Sequence, residues 1–117
     1  MTRLTDPWFE AEFYGHVSTT GHARQGSVIE GAQGLFLWCP CGYPHDASAH
    51  GLLIPFANPR NAPAVPPDHG PISRDGSHHP RWTMAGSGLQ DLTLAPSVDV
   101  GAPSCWHGFI KNGEVTP

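Results

Sequence analysis

Glycine and proline break this chain at almost every fourth position, with 14 glycines and 13 prolines among 117 residues. Proline lacks the amide donor that a helix interior needs, and glycine loses the most backbone freedom when fixed there. Helical bundles are disfavoured, and order must come from short extended runs between turns. Four Trp, five Phe and two Tyr nevertheless supply large apolar side chains, which argues against a disordered tail. A chain of this length fits one domain, residues 1–117, since folding can remove roughly two-thirds of its surface from water.

The apolar runs place the elements. Thr5-Asp6-Pro7 pairs a capping residue with a proline suited to a first helical turn, so Trp8 to Phe13 is predicted as a short helix. Residues 1–33 form an N-terminal extension, polar from residue 16 onward, with a possible strand at Ser27 to Glu30. Leu35-Phe36-Leu37-Trp38 and Gly51-Leu52-Leu53-Ile54-Pro55-Phe56 read as two strands of a hairpin, with Pro55 at an edge or an end. Residues 57–81 carry Pro59, Pro63, Pro66, Pro67, Pro71 and Pro80 and are predicted as one long loop. Strands are expected from Trp82 and over Leu89 to Leu94, and Asn112-Gly113 signals a terminal hairpin, because both residues tolerate positive φ. The predicted fold is mainly β, a small twisted sheet or sandwich of about five to seven strands with one short N-terminal helix.

Charge narrows the partners. The net charge is -4, and the six Lys and Arg residues form no basic stripe, so nucleic acid is not expected. No run approaches the roughly 18 apolar residues that span a bilayer, and the first residues lack a secretory stretch. A soluble, unexported chain is expected.

Three cysteines cannot all pair, and Cys39 and Cys41 are too close for an easy mutual bridge. Thiolates for a metal fit better. Cys39-Pro40-Cys41 and Cys105-Trp106-His107 together offer three thiolates and one imidazole, a complete tetrahedral set for Zn2+. The two segments lie 64 positions apart, so one ion would pin the domain together, contributing roughly 10 to 16 kcal/mol of apparent folding energy. Gly42 and Gly108 follow the ligand pairs, where close backbone approach would favour a residue without Cβ. His45 is the nearest rival to His107, with His50 behind it.

Catalytic readings are weaker. Neither a metalloprotease His-Glu-x-x-His nor a deaminase zinc motif is present, and four protein ligands would leave zinc no open position. An incompletely coordinated zinc, with Asp46 as base, is the hydrolase alternative. Ser104-Cys105-Trp106 is too near the C-terminal end for a papain-like cysteine, and the inventory departs from the two Cys and two His of a Rieske cluster. Thr93-Leu94-Ala95-Pro96-Ser97 reads as a strand and a turn, since spacing indicates no base for a Ser97 nucleophile.

The succession Gly34-Leu35-Phe36-Leu37-Trp38-Cys39-Pro40-Cys41-Gly42, Trp82, Leu92-Thr93-Leu94-Ala95-Pro96-Ser97-Val98 and Cys105-Trp106-His107-Gly108-Phe109-Ile110-Lys111-Asn112-Gly113-Glu114-Val115 resembles the DUF6527 family of small proteins from bacteriophages and bacteria. The resemblance covers about residues 34–115 and implies zinc binding and a phage or phage-like origin. The function expected on these grounds is a non-enzymatic, zinc-stabilised structural or interaction protein. It would be a virion accessory component, partnered by other protein subunits, in the host cytoplasm or the particle.

Overall fold

Strands as short as the glycines and prolines allow carry the regular structure. The computed structural model describes residues 2–18, 21–43, 51–65, 80–98 and 106–116. Among them are nine strands: β1 (Thr2–Arg3), β2 (Glu12–Ser18), β3 (Gly21–Arg24), β4 (Gly34–Trp38), β5 (Gly51–Pro55), β6 (Thr83–Ala85), β7 (Thr93–Ala95), β8 (Phe109–Lys111) and β9 (Glu114–Thr116). They form a four-stranded sheet in the order β3-β2-β4-β5, a three-stranded sheet β1-β9-β8 and the hairpin β6-β7, with antiparallel pairing throughout. The expectation of mainly β structure holds. The expected count of strands was too low, because several lie in stretches too short or too polar to read as strands.

Single bridges join the three sheets edge to edge. Phe56 and Trp82 form a parallel bridge, in which Trp82 N donates to Pro55 O at 3.0 Å and Ala57 N to Trp82 O at 2.7 Å. Val98 and Gly108 form an antiparallel bridge, Val98 N to Gly108 O at 2.7 Å and the return bond at 3.1 Å. The β8–β9 turn adds Gly113 N to Leu92 O at 2.8 Å and receives Leu4 N on its own carbonyl at 2.8 Å. One apolar cluster draws Phe13, Leu37, Ile54, Met84, Leu94 and Ile110 from all three sheets.

β4 is apolar on both faces for a structural reason. Leu35 and Leu37 point into the main cluster, while Phe36 packs outward with Tyr14 and Val65, flanked by Trp38 and Leu53. Of the expected loop 57–81, residues 66–79 lie outside the described residues, and Val65 at the end of the described part packs into this outer cluster. The Gln33 side-chain amide donates to Pro63 O at 2.8 Å, and Gly31 N to Arg60 O at 2.8 Å. A strand covered on both sides needs no polar face. Burial also pushes the Tyr14 phenol well above its ordinary pKa, against an opposing pull from Arg81.

The expected N-terminal helix is replaced by one 3₁₀ turn, Pro7–Phe9. Asp6 caps it as expected, its Oδ1 accepting from Trp8 N at 2.9 Å. Glu10 then takes φ 47°, in the left-handed region, and ends the turn. Phe13 is drawn into β2 opposite Leu35, where it is fully buried, so packing overrides the local helix signal. Within the stretch 1–33, β2 pairs with both β3 and β4. Ser27 to Glu30 is turn-like and not a strand; the Gln25 amide holds it through Val28 O at 2.8 Å and Glu30 O at 3.0 Å. Of Leu89 to Leu94 only the end is strand, because a turn over residues 87–91 precedes β7. Among the described residues no helix is long and apolar enough to cross a membrane.

Candidate active site at Ser97 and His107

Two residues of modest sequence signal meet beside the Val98–Gly108 bridge. Around an antiparallel bridge, the residues flanking the bridged pair share the opposite face, and those on the diagonal come within side-chain reach. Ser97 precedes Val98 and His107 precedes Gly108, which makes them such a diagonal pair. Their side chains meet, with Ser97 Oγ 3.0 Å from His107 Nε2. When the imidazole carries its proton on Nδ1, Nε2 accepts from the serine hydroxyl, the polarity a nucleophile and its general base require.

The scaffold beneath this pair is buried and hydrogen-bonded. Val98 is fully buried, and Trp82, 2 % exposed, donates its indole N–H to the Ser97 carbonyl at 3.1 Å. Trp106 anchors the other segment by donating Nε1–H to Thr116 O at 3.2 Å. Gly108 has no room for a side chain, since a Cβ there would strike the Thr116 carbonyl and stand 2.6 Å from the Trp106 indole nitrogen. This crowding is a visible reason for glycine at that position. The side chains themselves remain reachable, Ser97 half-buried and His107 exposed.

The residues nominated for zinc are distributed as follows. Cys39 is a free thiol buried in the main apolar cluster. Cys41, in the 3₁₀ turn Pro40–Gly42, is disulfide-bonded. His107 directs Nε2 at Ser97. Cys105, His45, His50 and Asp46 lie outside the described residues. Among the described residues no three His, Cys, Asp or Glu side chains gather to hold a metal ion. The two cysteine-bearing segments do approach each other, because Pro40, Tyr43 and Trp106 line a common cavity of about 220 Å³.

Ser97 is the residue that sequence reasoning sets aside for want of a base. Ten positions separate it from His107, a spacing without meaning until the bridge between Val98 and Gly108 is known. The one available clue was indirect: a buried valine directly after the serine and a glycine directly after the histidine are what a tight bridge under a surface pair requires.

Comparison with known proteins adds two likenesses. Residues 68–117 match the model of a family described as "Bacterial ubiquitination-like system serine protease (BubE)". This segment contains both Ser97 and His107. The chain is also 30% identical over 91 residues to a D-serine dehydratase of Shigella flexneri, covering 74% of this chain and 21% of that protein. A D-serine dehydratase of Escherichia coli (strain 55989 / EAEC) is 30% identical over 93 residues, 75% of this chain and 20% of that protein. The chain thus spans about a fifth of the length of these curated relatives. No solved structure matches.

Proposed function

We propose that this chain is a serine hydrolase of the protease type, with Ser97 as nucleophile and His107 as general base. The observation that carries the reading is the 3.0 Å contact between Ser97 Oγ and His107 Nε2. Support comes from the family whose model covers both residues, whose description names a serine protease of a bacterial ubiquitination-like system. On that reading the target is an amide or isopeptide bond in a conjugate of such a system.

The chemistry is acyl transfer in two halves. Ser97 Oγ bonds to the scissile carbonyl carbon while its proton passes to Nε2 of His107. The C–N bond then breaks, and the imidazolium returns that proton to the departing amine. Water enters by the same route, losing a proton to Nε2 as its oxygen attacks the acyl carbon; the ester C–O bond then breaks, the imidazolium returns that proton to Ser97 Oγ, and the carboxylic acid product leaves. A zinc-bound, non-enzymatic role would call on the same imidazole as a ligand. The serine contact instead supports a part for Nε2 in proton transfer. The D-serine dehydratase likeness supplies no role for this pair and carries no part of the proposal.

Covalent labelling by a fluorophosphonate tests the assignment. Intact-mass analysis is expected to show one adduct per chain, on Ser97. Ser97→Ala should abolish it and His107→Gln should slow it by about 10²-fold or more, the usual contribution of a general base. Undiminished labelling of the alanine variant would sink the proposal.

A further inference from the structure

We propose that Phe109 forms the acyl-side subsite of this enzyme, selecting substrates whose residue immediately before the scissile bond is apolar. The proposal rests on Ser97 being the nucleophile. Phe109 is 48% exposed, one of three large apolar side chains that stand out among the described residues, the others being Val28 and Tyr43. Neither of those lies on the segments that carry the pair, whereas Phe109 does.

Its position follows from the register. The antiparallel bridge Val98–Gly108 sets Ser97 opposite Phe109, with His107 on the diagonal. Side chains alternate along β8 and the residues leading into it, so His107, Phe109 and Lys111 share one face at intervals of roughly 7 Å. Beyond Phe109, on the side away from His107, lies a hollow of about 350 Å³ lined by Phe109, Lys111, Asn112, Glu114 and Thr116.

That asymmetry assigns the two halves of a substrate. His107 must return its proton to the leaving group, so the leaving group departs over the imidazole. The acyl half therefore extends the opposite way from Ser97, across Phe109 and toward the hollow. A bare aromatic ring at that place gains from being covered by an apolar side chain and gains nothing from glycine. Contacts of this kind discriminate by roughly 10- to 200-fold.

The test uses the whole chain with the p-nitrophenyl esters of N-acetyl-leucine and N-acetyl-glycine, each rate normalised to uncatalysed hydrolysis. The expected wild-type preference for leucine in kcat/KM is about tenfold or more. Phe109→Ala should bring the ratio toward one, and Phe109→Leu should retain most of it. Fluorophosphonate labelling of Ser97 in each variant verifies that the nucleophile is intact. A wild-type ratio near one, or a leucine preference that survives Phe109→Ala in a protein that still labels, overturns the subsite alone. Failure of the wild-type chain to label at Ser97 overturns both readings.

Discussion

Asp91 organises the turn between β6 and β7 from a half-buried position. Its Oδ1 accepts from Ser87 N and Gly88 N, and its Oδ2 from the Ser87 hydroxyl, each at 2.9 Å. These bonds, first among them that from the Ser87 backbone, hold its carboxyl below the ordinary carboxylate value. A depressed folded pKa gives stability that is present above the unfolded value of about 3.9 and is lost as pH falls through the lower folded value. Asp91→Asn should therefore melt below the wild type at pH 7, and the gap should narrow on acidification through that range. Equal melting temperatures at pH 7 would contradict this. Sequence reading placed a strand across this turn, because the alternation of Leu89, Leu92 and Leu94 resembles one and the carboxylate's role depends on three donors close in space. The pairing of Ser97 with His107 was illegible for a related reason, since it depends on a bridge that brings the two segments together in space.

The β8–β9 hairpin was fully legible, because its turn is written in two adjacent residues. Asn112 and Gly113 take φ 50° and 76°, as a type I′ turn demands, and Lys111 pairs with Glu114 across it. Gly113 is doubly constrained, since a Cβ there would also strike the Gln90 carbonyl. Gly113→Ala should lower stability by about 1–3 kcal/mol, seen as a shift in the denaturant midpoint with unchanged slope. An unmoved midpoint would show that the turn relaxes freely. The β4–β5 hairpin was equally readable from its apolar runs. β3 was not, because every residue of Gly21–Arg24 is exposed and the strand carries no periodic signal. The N-terminal helix was misread because capping chemistry is local, while the burial of Phe13 against Leu35 and Phe56 is not.

Three small sheets make one molecule through a few stitches, and Trp82 holds two of them. Its backbone bridges β5 to β6, and its indole reaches across to the Ser97 carbonyl. Trp82→Phe keeps most of the buried ring and removes the N–H. The expected cost is about 1 kcal/mol in unfolding free energy, together with slower fluorophosphonate labelling of Ser97. A variant that labels at the wild-type rate would deny Trp82 any part in positioning the serine. Assembly at this scale lay beyond sequence reading, because isolated bridges leave no periodic trace. The bridge between Val98 and Gly108 has one more implication. Ser97 and His107 are gathered by a single pair of backbone hydrogen bonds at a seam between two sheets, so parting that seam would separate the two side chains and uncover Val98 from the main cluster. On warming, fluorophosphonate labelling of Ser97 should therefore be lost no later than the fold itself.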